Sequence, residues 1–488
     1  MTFRHRLVIK EAPTAADLCA AVRRRWWLWL PITGAIATST FFLVHNRHTA
    51  NAPPEVKTGI LRVSSSPVGA TVEIDGRQSG QTPAVIKVQP GGHQVRIATA
   101  GYLSTSYQAD VAAGATSSMT TELWLAQPRT TQLLPPLPGA SLTGANFLQD
   151  GRVALSVAVP PGDERQLWIE GPASEQRHIG PALARASVAA SLDANLVAYL
   201  GSPANPGSMS QPPTQLWVTR ADGQQPVQRY ALPTQSNGGS DQLIDVTWAP
   251  DGRHLLLVVK QAVAAGGQRS TIDLLATDDG EPRALVSLPS DIVQGSYSWS
   301  PDGAWVSFVT VAGGKTSLCL LGLANGEFRY LGDLSTSGLS HPLPFGPASW
   351  STNGGRLLYS ASNGKQSDPA SWLLGSGAAT ALFIVNPLAP VPQLFSDGLG
   401  QAPAWLPDGS VVALARGKGN GPIILRHLDG AGPPVDGPPL AVMSGSLYSA
   451  KWDMAHAQAL IAVRGDGLSL SGDADQYWLA KFRPDGNP

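Results

Sequence analysis

After residue 140 the chain alternates apolar and polar positions in short runs, and the runs are entered through one recurring phrase. An apolar or aromatic residue leads into a turn, and the turn opens the next run. The clearest copies are Trp248-Ala249-Pro250-Asp251-Gly252, Trp299-Ser300-Pro301-Asp302-Gly303 and Trp405-Leu406-Pro407-Asp408-Gly409. Trp350-Ser351-Thr352-Asn353-Gly354 is a variant, and Trp452 opens a degenerate copy. Phe147…Asp150-Gly151 and Val188…Asp193 open two weaker ones. Successive anchors lie 41, 60, 51, 51, 55 and 47 residues apart. A strand-rich period of about 40–50 residues predicts a β-propeller with one blade per repeat. Seven anchors predict seven blades, with six or eight as alternatives.

The runs at 166–169, 215–218, 272–275, 318–321, 381–384, 423–426 and 476–479 read as the third strands of successive blades. The last blade then runs out of chain. Thr130 to Leu134 precede the first blade and belong to no other unit, so they are expected to supply the missing outer strand and cover an open edge. In a four-stranded antiparallel blade the Pro-Asp-Gly turns lie on one rim. The loops 201–213, 261–270 and 361–377, and the inter-blade connections 233–242 and 335–347, leave from the other. Long loops on a rigid scaffold are where binding concentrates.

Residues 59–125 carry a different rhythm. Ile60-Leu61-Arg62-Val63 is a short strand, followed by a Ser-Pro-Val-Gly-Ala turn ending at Ala70. Thr71-Val72-Glu73-Ile74 alternates and ends in Asp75-Gly76, a strong hairpin signal because both turn positions favour positive φ. Gly80-Gln81-Thr82-Pro83, Pro90-Gly91-Gly92 and Gly101-Tyr102 mark further turns. This predicts a compact sandwich of five to seven strands.

These turn phrases, in this order, resemble the PEGA domain, with Val68 where that family usually carries Glu. The resemblance implies a surface-exposed, non-catalytic module. The Trp-Ser-Pro-Asp-Gly phrases and third strands over 140–488 resemble TolB-like propeller repeats, which implies an extracytoplasmic envelope protein. The fold class is therefore all-β, a small sandwich followed by a propeller and preceded by one transmembrane helix.

That helix is read from residues 26–45. Trp26 to Val44 carry no charge, long enough to span a bilayer of roughly 17–25 helical residues. Trp26, Trp27 and Trp29 sit at one end, where interfacial aromatics concentrate. Six Lys/Arg lie in 1–25 and two in 45–60, which places the tail inside the cell and the rest outside. A cleaved signal peptide ending at Ala50-Asn51-Ala52 is the rival reading; the long span and Pro53 count against it. The expected organisation is a basic cytoplasmic tail (1–25), an anchor (26–45), a linker (46–58), a PEGA-like domain (59–126) and the propeller (128–488).

Charged residues make up 14% and the formal net charge is −1, so nothing points to nucleic acid. The two cysteines, Cys19 and Cys319, fall on opposite sides of the predicted membrane, which excludes a disulfide framework. Cys319 lies in an apolar run and reads as a buried strand residue. No nucleophile elbow, H-E-x-x-H, C-x-x-C or phosphate loop is present. No catalytic, metal or cofactor-binding residue is expected, and the chain is not expected to be an enzyme. The residues singled out are structural. Phe147, Trp248, Trp299, Trp350, Trp405 and Trp452 are repeat anchors packing between blades. Asp75, Gly76, Asp251, Gly252, Asp302, Gly303, Asp408 and Gly409 are turn residues. The expected role is a membrane-anchored binding or scaffold protein of the cell envelope with a protein or glycan partner. The alternatives are a transmembrane sensor and a propeller-tunnel lyase or hydrolase.

Overall fold

The structure is a computed structural model. It describes residues 57–488 except for 149, 161–163, 171–175, 184–187, 191–195, 202–213, 221–225, 234–240, 264–266, 278–279, 294, 314, 334–346, 363–379, 397–399, 417–421, 429–434, 441–445, 465–475 and 485–488. The predicted anchor, 26–45, lies outside the described residues. Among the described residues no helix is long and apolar enough to cross a membrane.

The N-terminal module has seven strands: β1 (Gly59–Ser66), β2 (Thr71–Ile74), β3 (Arg77–Gln81), β4 (Ala84–Val88), β5 (Gly91–Ala98), β6 (Thr105–Val111) and β7 (Thr116–Glu122). They form two sheets, β4-β1-β7 and β3-β2-β5-β6. Alternation sends Leu61, Val63, Val72, Val95 and Ile97 inward, all fully buried. Asp75 and Gly76 take φ of 50° and 77°, the primed turn that matches strand twist.

β8 (Arg129–Leu133) follows, and then seven antiparallel blades. Blades 1 to 6 span 141–183, 188–231, 242–288, 291–333, 349–396 and 401–439. Blade 7 takes three strands from 446–481 and its outer strand from β8, in register from Lys481↔Arg129 to Tyr477↔Leu133. Each segment predicted as a third strand occupies that position.

The ring closes through its side chains. Each second strand is buried on both faces, so it reads as a continuous apolar run. In blade 3, Leu255, Leu257 and Val259 face blade 2, whereas Leu256 and Val258 face blade 4. A separate apolar cluster fills every seam, including the one in which Leu133, Leu460 and Leu479 of blade 7 meet Val153, Leu155 and Val157 of blade 1. The propeller assignment rests on this closed ring.

Two features depart from the expected layout. Residues 261–270 were expected to form a loop, but strands His254–Val263 and Gly267–Ala276 continue pairing to Val263↔Gly267. Ladder bonds extend across a segment whose glycines signal a turn only at its tip. In blade 4 the innermost strand is split into Asp291–Ile292 and Ser298–Trp299. Gly295, at φ 70°, lies in the break.

Candidate functional site

The Pro-Asp-Gly aspartates cap their own turns, whereas Asp75 binds the neighbouring strand β5. Asp251 Oδ1 accepts from the Arg253 and His254 amides at 2.8 and 3.0 Å, and its Oδ2 accepts from His254 Nδ1 at 2.5 Å. Asp302 Oδ1 accepts from the Ala304 amide at 3.0 Å and the Ser300 hydroxyl at 2.5 Å. These donors hold the Asp302 carboxyl below its ordinary range, the Ser300 hydroxyl contributing most. Gly252, Gly303 and Gly409 take φ of 65°, 69° and 83°. In the module, Asp75 accepts from His93 Nδ1 at 2.7 Å and from the Gln94 amide at 2.9 Å.

The anchor tryptophans tie each blade to the one before it. Trp299 Nε1 donates to Thr247 Oγ1 at 3.3 Å, Trp350 Nε1 to the Ser298 carbonyl at 3.0 Å, and Trp452 Nε1 to the Ala402 carbonyl at 2.8 Å. Ala402 sits at φ 46°, a strained conformation that the last bond helps to hold. Trp248 and Trp405 bury their Nε1 without a partner among the described residues. Phe147 packs against the cluster between blades 7 and 1.

Two composite sites emerge that no local motif announces. The first lies on the innermost strands. Asp245 of blade 3 is 4% exposed. It follows a register shift in its strand. Its Oδ1 accepts from the Val246 amide at 2.9 Å, and its Oδ2 accepts from the Gly295 amide at 2.6 Å. The break in blade 4 thus presents an N–H to its neighbour's carboxylate. Lys451 of blade 7 donates to the Ala145 carbonyl of blade 1 at 3.4 Å and makes no ion pair among the described residues. Burial lowers its pKa, and the field of Asp245 opposes that shift. The Tyr297 hydroxyl is buried without a partner among the described residues. Burial, then Asp245, push its pKa well up. Lysine has three donors and tyrosine one, so this group can receive a carbonyl or carboxylate. Sequence reasoning missed Tyr297 and Lys451. Lys451 had a signal: the residue before each anchor tryptophan is Thr247, Ser298, Ser349 or Ala404 elsewhere, and Lys in blade 7.

The second composite site joins the module to the Pro-Asp-Gly rim at blades 6 and 7; one compact unit begins at Gly59 and runs to the C-terminus. Asp408 caps its turn with Oδ1, which accepts from the Ser410 amide and hydroxyl at 3.0 and 2.7 Å. Its Oδ2 accepts from the Thr105 hydroxyl and, at 3.2 Å, from the Ser106 amide of β6. Beside it, Leu103 and Trp124 of the module enter the apolar cluster of blades 6 and 7. Phe482, fully buried, sits with its ring 5.0 Å from Trp124 and 5.7 Å from Trp452. The Leu125 amide donates to the Phe482 carbonyl at 2.8 Å, and Arg483 pairs with Glu122 at 2.6 Å. A turn residue thus also docks a neighbouring domain.

Cys319 is buried in blade 4, its thiol pushed up to about 11 by burial. Among the described residues no three His, Cys, Asp or Glu side chains converge to hold a metal ion.

Residues 58–127 match the PEGA domain family. A comparison with curated proteins gives no match. Among solved structures the chain is similar to an oligogalacturonate lyase in complex with manganese, at 11% identity over 73% of this chain and 93% of that chain, with a TM-score of 0.49. It is similar to the β-propeller domain of the trilobed protease from Pyrococcus furiosus, at 13% identity over 72% and 99%, with a TM-score of 0.41. It is also similar to TolB from Acinetobacter baumannii, at 13% identity over 67% and 78%, with a TM-score of 0.32.

Proposed function

We propose that this chain is a binding protein of the cell envelope, tethered by residues 26–45. In this reading its PEGA-like module carries the propeller, and the propeller engages a protein partner through the rim opposite the Pro-Asp-Gly turns. The joint carries the proposal. Because Asp408, Phe482 and Arg483 hold the module against the Pro-Asp-Gly rim, that rim is partly covered. The other rim is left for a partner, and it is where the extended hairpin of blade 3 ends. A built joint of apolar burial, aromatic contact and ion pairing supports a scaffold that presents a surface in a set orientation.

The test uses the full chain in a mild detergent as bait for an envelope extract. The control bait has 202–213 and 364–376 replaced by short linkers. Capture of a defined protein by the first bait and its loss with the second is the expected result. Equal capture by both would move the site elsewhere. The next candidate is then the outer face of blades 4 and 5, where Tyr330, Leu388, Val391 and Leu394 are 53–75% exposed. Capture of nothing defined by either bait would overturn the reading.

A further inference from the structure

We infer that the cleft between the module and blades 6 and 7 is a binding site for a neutral, hydroxyl-rich ligand, namely a single sugar unit. The cleft encloses about 160 Å³, the share of about five waters. Neither domain contains it alone. Strands β6 and β7 supply one wall, and the blade 6 turn, Met454 and Arg483 supply the other. The site is distinct from the rim proposed for the protein partner and does not depend on it.

The lining selects the ligand. Its charged groups are Glu122, Asp408 and Arg483. Two carboxylates against one guanidinium disfavour an anion. A cation is disfavoured by Arg483, whose Nε is buried without an acceptor among the described residues and calls for one. Only a group that both donates and accepts suits Glu122 and Arg483 together, and hydroxyls do so. One would accept from Arg483 Nε, and another would donate to Glu122, because Thr105, Ser106 and Ser410 already fill the acceptor sites of Asp408. Hydroxyls also edge the cleft: Thr120 lines it, and Tyr107 and Thr121 bond to each other at 2.7 Å across its module wall. Trp124, Leu406 and Met454 add apolar surface, which matches the C–H face of a sugar ring. A group bound in the cleft touches both domains, so occupancy stabilises the joint by mass action.

The test is saturation-transfer NMR on the full chain in a detergent without sugar head groups. The probes are methyl glucoside and N-acetylglucosamine, with acetate and ethylamine as charged controls. Two variants are compared. Glu122→Gln removes one acceptor charge, and Thr120→Trp plugs the mouth from an exposed position; melting curves verify that both stay folded. Transfer to a sugar probe, weakened at least tenfold in both variants and absent for the charged probes, is expected. Transfer that survives Thr120→Trp, transfer to the charged probes alone, or no transfer to any probe would each overturn the inference. Protein capture by the opposite rim is unaffected by any of these outcomes.

Discussion

Blade 3 draws all its strands from one continuous stretch, 242–288, whereas blade 7 draws three from 446–481 and the fourth from β8, ahead of blade 1. Their entry turns share one side-chain pair. Asp251 and His254 meet at 2.5 Å in one, and Asp453 and His456 meet at 2.7 Å in the other. The same Asp–His pair therefore recurs where the blade is ordinary and where it closes the ring, although blade 7 lacks the Pro-Asp-Gly phrase. What differs is long-range: blade 7 must recruit a strand, and it shares its seam with the module as well as with blade 6. The closing blade concentrates contacts that a repeat cannot encode, because no other blade needs them.

The sharpest way to break this comparison is to delete residues 128–138. The edge of Gln476–Lys481 would be left unpaired, and Leu133, 3% exposed, would leave the seam with blade 1. Losing that side chain alone costs about 3 kcal/mol. The equivalent loss of Leu288 in blade 3 removes core packing but leaves the ring closed. Thermal melting by circular dichroism is expected to show the whole propeller of the deletion variant unfolding at lower temperature, in one transition. An unchanged midpoint would mean that β8 is an accessory strand.

A finer separation comes from the two anchors. Trp452 Nε1 donates to Ala402, and Trp248 Nε1 has no partner among the described residues. Replacing each by Phe removes similar ring volume, but only Trp452→Phe also removes a hydrogen bond and leaves a carbonyl short of its donor. The excess cost of Trp452→Phe over Trp248→Phe is expected to be about 1 kcal/mol. It is read from denaturant midpoints of the two variants. Equal costs would show that the indole bond adds nothing to the seam.

The repeat and its closure were legible in the chain because they are written in local chemistry. Tryptophan, proline, aspartate and glycine at fixed offsets mark entry turns, alternation marks strands, and a last blade lacking a strand points to Thr130–Leu134. The hairpin at 261–270 was misjudged because Gly266-Gly267 carries a turn signal, while pairing with a partner strand decides how far the ladder runs. The joint was not legible at all. Thr105 and Asp408 are 303 residues apart, and Asp408 already has a sufficient local reason to be aspartate. Its second oxygen has a separate task that spacing cannot reveal. Asp245, Tyr297 and Lys451 are similar: none of them belongs to a motif, and only the closed ring couples them.

The smallest expected effect tests the turn of blade 3 itself. Burial works against the charge of Asp251, but the Arg253 and His254 amides and the His254 imidazole outweigh it and hold the carboxyl below its ordinary range. A lowered folded-state pKa means that the unfolded chain binds the proton more readily. The stabilisation is therefore complete above the unfolded value, about 3.9, and is lost as pH falls through the folded one. The Asp251 side chain is 47% exposed, so solvent screening keeps the gain modest. Melting temperatures of the parent and Asp251→Asn chains should differ by a constant small amount from pH 7 to about pH 5 and converge below pH 4. A difference that persists unchanged at pH 2 would show that the carboxylate's charge does nothing for the turn, whereas no difference at any pH would show that Asn closes a blade as well as Asp does. The variant phrase Ser351-Thr352-Asn353-Gly354 in blade 5 would then be the equal of the others. Its Asn353 Oδ1 already accepts from the Gly355 amide at 3.0 Å and from the Ser351 hydroxyl at 2.8 Å.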